Sequence, residues 1–398
     1  MNMQFSDRAM SIAPFFAMEF GSRAAALEAQ GHRVIKLNLG EPDFGAPPAV
    51  IGAMQDALRD TPMPYTSALG LPALRQAIAR YYATTYGVQI DPARVVVTAG
   101  ASAALLLVTA ALVNPGDKVL VGDPSYPCNR QFLASFGADV KLVPTDAATR
   151  YQVDAALLRR HWSDDVRGLM VATPSNPTGT SVPPEELAAI CELARSHGAW
   201  RIVDEIYLGL ADADSVGRAP QSVLCVDPGA IVINSFSKYF GMTGWRLGWC
   251  VAPAEMVPVL ERLAQNYYIC PSTLAQHAAL ACFLPETIAV CEARRAELAA
   301  RRALVLAGLA RIGLPVPVPP DGAFYVYFNV AATGLDSMQF CERALDEAHV
   351  ALTPGNDFGL CGAADHVRLS FAACTDDLNE ALSRLQRFMA QFQDGPMG

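Results

Sequence analysis

The sequence contains ten cysteines but no Cys-x-x-Cys pair and no Cys/His cluster at ligand spacing. That scatter excludes a zinc module and argues for reduced thiols rather than a disulfide framework. Positive charge is scarce as well: 30 Lys and Arg against 39 Asp and Glu leave a net charge of −9, so nothing favours nucleic acid or an anionic membrane surface as a partner. Charged residues of both signs make up only 17% and hydrophobic residues 52%, the balance of a compact, mostly buried chain. Tandem repeats and low-complexity linkers are absent. The N-terminus lacks a basic region followed by an apolar core, so no export signal is expected and a cytoplasmic location is. One uncharged run, Val95 to Val113, is nineteen residues long and nearly spans a membrane. Thr98, Gly100 and Ser102 interrupt it after a β-branched start, which predicts a buried strand, a glycine turn and a buried helix.

What is present is a recurring strand and helix pattern. With 398 residues the chain is long for one core and suggests two domains. Short apolar runs at 94–98, 118–121, 140–143, 168–172, 201–203, 230–234 and 247–251 predict seven strands, separated mostly by helices. Such alternation implies an α/β fold: a mostly parallel seven-stranded sheet sandwiched by helices. The stretch from Pro184 to His197 reads as one of those helices, with Glu185 and Glu186 in its first turn and Gly198 to end it. After about Pro285 the character changes to a long charged, alanine-rich helix, Thr287 to Leu309, and a strand, Ala323 to Phe328, which predicts a smaller α+β domain. The tail after Gln391 is expected to fray.

The chemistry concentrates at strand ends. Ser235-Phe236-Ser237-Lys238 follows an apolar strand, where α/β sheets place their ligands, and Arg246 follows eight residues later. An amine among hydroxyl donors and a guanidinium suits a phosphate site, and that cationic setting favours the neutral amine needed to capture a carbonyl. Gly100-Ala101-Ser102 lies where strand turns to helix, so backbone donors and the helix's positive end converge there. Asp204 ends another strand, Asn176 sits in Ser175-Asn176-Pro177-Thr178-Gly179, and Tyr126 follows Asp123-Pro124-Ser125. Arg368 alternates with apolar neighbours on a predicted strand. Each feature alone has an ordinary reading: a solvated loop lysine, an N-cap aspartate, a proline turn, a tight glycine loop, an arginine paired with a buried acid.

Together with Asn38-Leu39-Gly40-Glu41-Pro42-Asp43-Phe44, Tyr65, Gly70, Leu74-Arg75, Asp204-Glu205-Ile206-Tyr207 and Val367-Arg368-Leu369-Ser370-Phe371, they make an ordered set. From about Ile35 to about Ala372 the sequence resembles the class I and II aminotransferases, pyridoxal-phosphate-dependent enzymes of fold type I. The resemblance implies an N-terminal arm (1–45) packing with the small domain, a large cofactor-binding domain (46–285) and a C-terminal small domain (286–398). It implies pyridoxal 5'-phosphate attached to Lys238, which also moves the substrate's α-proton, with Asp204 facing the ring nitrogen. Tyr207 and Asn176 would contact the ring oxygen, Tyr126 would stack on the ring, and Gly100, Ala101, Ser102, Ser235, Ser237 and Arg246 would hold the phosphate. Arg368, with Gly40 and Asn176, would take the substrate carboxylate, and Tyr65 would reach the neighbouring subunit's phosphate, implying a homodimer with shared sites. A cis bond before Pro177 is implied as well.

The implied activity is transfer of an amino group from an L-amino acid to a 2-oxo acid, ping-pong, through pyridoxamine phosphate. Some bacterial aspartate-type members carry lysine at the position of Ser102, and serine cannot supply that charge, so neutral or aromatic side chains are favoured over dicarboxylic ones. The pairs Phe15-Phe16, Tyr267-Tyr268 and Phe324-Tyr325 are candidate apolar walls. Cys270 and Cys361 read as bystander thiols. A carbon-sulfur β-elimination lyase of the same fold is the alternative, since it begins with the same proton removal. An effector domain of a transcription regulator would need a DNA-binding module, and fewer than forty residues precede Gly40.

Overall fold

All seven apolar runs form strands, and their alternation settles the layering. The computed structural model of the protein describes residues 3–213 and 217–393. A two-residue strand, β1 (Ile35–Lys36), precedes the central sheet of β2 (Val95–Thr98), β3 (Lys118–Asp123), β4 (Asp139–Pro144), β5 (Val166–Ala172), β6 (Trp200–Asp204), β7 (Ile231–Ser235) and β8 (Gly248–Val251). Val95, Val97, Val232, Trp249 and Val251 enter one apolar core, whereas Val96, Ile231, Ile233 and Cys250 enter a second. Successive side chains thus point to opposite faces and both faces are covered, which is why these strands lack the polar alternation of a half-exposed sheet.

The strand order is β2-β8-β7-β6-β5-β3-β4, with β8 alone antiparallel to its neighbours. The C-terminal ends of β2, β3, β4, β5, β6 and β7 therefore share one edge, and β8 starts from that same edge. The uncharged run behaves as predicted: β2, a turn at Gly100 with φ 87°, then the helix Ala101–Leu112. Among the described residues no single helix is long and apolar enough to cross a membrane. The predicted helix after Pro183 spans Pro184–Ser196, and Gly198 follows it at φ 67°.

The C-terminal portion is the smaller α+β part. It opens with the 27-residue helix Pro285–Arg311 and contains β9 (Tyr325–Asn329), β10 (Val350–Ala351), β11 (Thr353–Pro354) and β12 (His366–Ser370). The order β11-β12-β9 is antiparallel throughout. β9 starts two residues later than the predicted strand because Ala323 turns at φ 56°, outside the extended region. The N-terminal chain returns to this part: β1 pairs in parallel with β10, and the Ser370 amide donates to the Leu37 carbonyl at 2.8 Å. The last helix, Thr375–Gln393, continues past Gln391, and the tail expected to fray lies outside the described residues.

Gly248 ties the sheet to its ligand edge. A Cβ there would come within 2.8 Å of the Ala101 amide and the Gly100 carbonyl carbon and 2.9 Å of the Asn234 carbonyl, all backbone atoms. Gly248→Ala is expected to cost about 1–3 kcal/mol, read as a lowered urea midpoint, because backbone cannot swing aside as a side chain would. An unchanged midpoint would show that the turn before the helix Ala101–Leu112 is softer than its packing indicates.

Candidate active site

The shared strand edge opens onto a cavity of about 420 Å³. Ala101 and Ser102 reach it from the helix after β2, Tyr126 from beyond β3, Asn176 from beyond β5, Asp204 and Tyr207 from the end of β6, and Ser235, Ser237 and Lys238 from the end of β7. Arg246 enters from the approach to β8, Arg368 from β12 and Gly40 from the N-terminal segment. Gly100 lies just behind: its φ of 87° suits glycine, and a Cβ there would sit 2.6 Å from Arg246 Nη2. Tyr65 is the predicted residue that the chain does not bring to this cavity; its side chain is 78% exposed.

Lys238 is surrounded by groups that disfavour its charge. Burial lowers its pKa to about 8, and the Arg368 and Arg246 guanidiniums push the same way, against opposing pulls from Glu41 and Asp204. Its Nζ donates to the Gly40 carbonyl and lies 5.9 Å from the Tyr207 ring centre and 5.8 Å from that of Phe324. A lysine at about 8 keeps a useful fraction of neutral amine near physiological pH.

Asp204 is driven the other way for the same reason. Burial raises its pKa to about 6, against the pull of the Ile206 amide, which donates to Oδ1 at 3.1 Å, and of Lys238. The turn-holding job of a strand-end aspartate is thus real, and the residue also lines the cavity. Such a carboxyl is mostly ionised at neutral pH, and a cationic ligand beside it would favour the ionised form further. Tyr207, buried, pairs its hydroxyl with that of Tyr325 at 2.7 Å.

The hydroxyl and amide donors gather where predicted. Ser235 Oγ donates to Ser237 Oγ at 2.8 Å and accepts from the Ser237 amide at 3.0 Å. The first amides of the helix Ala101–Leu112 have no intrahelical acceptor, and Arg246 Nη1 reaches only the Thr243 carbonyl, at 2.9 Å. Donors of this kind fit a dianionic phosphate.

Arg368 is 1% exposed and, among the described residues, has no carboxylate in an ion pair with it. Nη1 donates to Asn176 Oδ1 at 2.9 Å, and Nη2 donates to the Asn38 carbonyl and to Thr353 Oγ1 at 3.2 Å. Its carbon stands 4.6 Å from the Tyr325 ring centre and 4.8 Å from that of Phe358, and Nε is buried without an acceptor. A buried guanidinium held by neutral groups suits an anionic ligand. The Asn176–Pro177 bond is cis, as the resemblance implied.

Some residues escaped the sequence reading. Tyr325, expected only as an apolar wall, also supplies the hydroxyl that Tyr207 meets. Asp357 accepts the Phe16 and Ala17 amides at 3.0 and 3.2 Å, capping the helix Phe16–Ala29 from across the chain and fixing Phe15, whose ring stands edge-on to Tyr126 at 6.1 Å. Phe15, Met18, Leu39, Leu105 and Ile206 add apolar lining. Tyr267 and Tyr268 do not line the cavity: Tyr267 is exposed and Tyr268 packs against the second core, where an aromatic pair serves burial instead. Phe16 and Phe324 are not on its wall, nor are Cys270 and Cys361.

Lys238 burial carries a stability consequence. Its folded pKa lies below the unfolded 10.5, so the native state binds fewer protons between about 8 and 10.5, and its contribution to stability improves as pH rises through that window. Below it the buried ammonium is a cost. In protein free of any bound carbonyl compound, Lys238→Met is therefore expected to raise unfolding free energy at pH 7 by about 1–3 kcal/mol, with the gain vanishing above pH 10.5. Denaturant titrations at pH 7 and 10.5 check this, and a gain of equal size at both would remove the lysine's charge as the cause.

Comparison with known proteins agrees with this geometry. The family model of aminotransferase class I and II matches residues 32–385. A valine–pyruvate aminotransferase of Mycobacterium tuberculosis is 40% identical over 376 residues, covering 94% of this chain and 96% of its own. An aspartate/prephenate aminotransferase of Thermus thermophilus is 34% identical over 395 residues, covering 97% and 99%. A crystal structure of an aminotransferase from Mycobacterium tuberculosis superposes with a TM-score of 0.94 at 38% identity, covering 98% of this chain and all of that one. These relatives transfer amino groups, and none of them is a lyase, so the β-elimination alternative has no support. A fold-type I sheet with a lysine, an aspartate and an arginine around one cavity, matched along nearly its whole length, makes this chain a member of the class I and II aminotransferases, pyridoxal-phosphate-dependent enzymes that move an amino group from an amino acid to a 2-oxo acid.

Proposed function

We propose that this aminotransferase binds pyridoxal phosphate in the 420 Å³ cavity and takes L-amino acids with neutral or aromatic side chains in preference to dicarboxylic ones. Pyridoxal phosphate supplies an aldehyde that bonds amines reversibly and a ring that accepts the electron pair left when an α-proton departs. The residues fit such a group: hydroxyls, helix amides and Arg246 for the phosphate, Asp204 for a protonated ring nitrogen, Asn176 and Tyr207 for the ring oxygen, and the Tyr126 ring for its face. Lys238 would hold the aldehyde through Nζ, and its free amine would take and give back the substrate's α-proton. Arg368 binds the α-carboxylate, which supplies the anion that its buried guanidinium lacks.

The carrying observation for the substrate class is the count of cations. Lys238, Arg246 and Arg368 are the only ones lining the cavity among the described residues, and each already has a task. Among the described residues no further cation lines the cavity for a second carboxylate, while Phe15, Met18, Leu39 and Leu105 offer apolar surface. The division into arm (1–45), large domain (46–285) and small domain (286–398) belongs to this proposal, supported by the pairing of β1 with β10. So does a homodimer in which the exposed Tyr65 serves the partner's site, and a cytoplasmic location, consistent with ten free cysteines.

Visible absorbance of the holoprotein, followed while single L-amino acids are added, tests the reading. Valine-like or aromatic donors are expected to convert the cofactor to its amino form at least about tenfold faster than aspartate, with recovery on adding pyruvate. Equal rates with aspartate would overturn the side-chain preference, and accumulation of pyruvate and ammonia without conversion would overturn transamination.

A further inference from the structure

We infer that the ion pair between Arg301 and Asp43 is a positioning device for proton transfer, acting through the Gly40 peptide on Lys238. The inference rests on the proposed role of Lys238 as the group that moves the α-proton.

Gly40 stands in a segment with neither helix nor strand from residue 37 to 47, yet its carbonyl is the acceptor for Lys238 Nζ. Something other than a ladder must hold it. On one side Gly40 abuts the Tyr325 hydroxyl so closely that no Cβ would fit. On the other, Arg368 Nη2 and Thr353 Oγ1 donate to the Asn38 carbonyl and Thr243 donates to Glu41, and farther along the segment the holding groups come from the long helix Pro285–Arg311. Arg301 Nη1 donates to Asp43 Oδ1 at 2.8 Å and to Oδ2 at 2.9 Å, and Nη2 donates to Glu297. The Arg301 side chain is 5% exposed, so this is a desolvated guanidinium with two carboxylates rather than a surface pair. Its carbon lies 5.0 Å from the Phe44 ring centre and that of Arg294 lies 5.1 Å away, while Arg294 Nη1 donates to the Gly45 carbonyl at 2.8 Å. The turn after Lys238 closes the wedge: a Cβ on Gly241 would lie 2.7 Å from the Gly45 carbonyl oxygen and 2.9 Å from that of Phe44. The segment 43–45 is thus gripped between the long helix and the chain that carries the lysine.

The chemical reason for such a grip is the lone pair. A neutral amine has one, and donating an N–H to a fixed carbonyl limits where that lone pair points. If the Gly40 peptide drifts, the amine swings with it. Misplacement by about 1 Å can cost about 10²-fold in rate without any contact to the substrate being lost.

Holoenzymes of Arg301→Met and Asp43→Asn are compared with wild type for kcat, KM of the best amino donor, the isotope effect with α-deuterated donor, and borohydride fixation of the cofactor. Fixation on Lys238 in the wild type tests the underlying reading separately; its absence there would overturn that reading rather than the role of the pair. The expected result is a kcat lower by about 10- to 100-fold in Arg301→Met and by less in Asp43→Asn, which leaves Arg301 the Glu297 carboxylate. Cofactor fixation persists, KM changes by less than about threefold, and the isotope effect is at least as large as in wild type, placing the loss in the proton step. A wild-type kcat in a folded variant, a loss confined to KM or to melting temperature, or a smaller isotope effect would overturn the inference. Should Arg301→Met not fold, the isosteric Asp43→Asn carries the same readouts.

Discussion

Excess positive charge around one cavity is the constraint from which the rest follows. Lys238, Arg246 and Arg368 face the carboxylates of Asp204, whose pKa is raised by burial, and Glu41, which sits exposed at the mouth and accepts from Thr243. Water cannot solvate Asp204 and Arg368 as it would at a surface, and Lys238 is partly withdrawn from it as well, so the protein holds these groups with neutral donors and acceptors and Lys238 loses its proton more readily than a free lysine. In the proposed reading anionic ligands relieve that excess: a phosphate beside Arg246 and the helix Ala101–Leu112, and a carboxylate beside Arg368. The cost to the ligand-free chain and the affinity for its ligands have one origin.

The sheet makes that convergence inexpensive in chain terms. Six strands of one direction end at one edge, and the single reversed strand, β8, starts there and brings Arg246 beside the turn at Gly100. Arg368 comes from a different sheet altogether. Its strand, β12, is held in register by Tyr327 on one side and Thr353 on the other, and its guanidinium reaches Asn176 across the interface between the two sheets. Lys238 and Arg368 therefore sit on separate parts of the fold, and the distance between them depends on how those parts are braced.

What the sequence reveals follows the range of the interactions. The seven strands were legible because each is a short β-branched or aliphatic run bounded by turn residues, and a strand buried on both faces needs no partner information to be recognised. That Lys238, Asp204 and Arg368 would meet at one cavity was legible through the ordered set of motifs that carries the family resemblance. Asp357 was not: its cap on the helix Phe16–Ala29 spans 340 residues. The pairing of Arg301 with Asp43 was hidden for the same reason, across 258 residues. Tyr267-Tyr268 and Phe324-Tyr325 look alike as sequence, and only packing separates a surface pair from one whose hydroxyl meets Tyr207.

Removal of Arg368, the buried cation proposed to take the substrate carboxylate, is the most direct test. In Arg368→Leu, kcat/KM for the best amino donor should fall by about 10²- to 10³-fold while borohydride still fixes the cofactor on Lys238. A variant that kept wild-type kcat/KM would show that the carboxylate binds elsewhere and that the charge excess in the cavity serves another end.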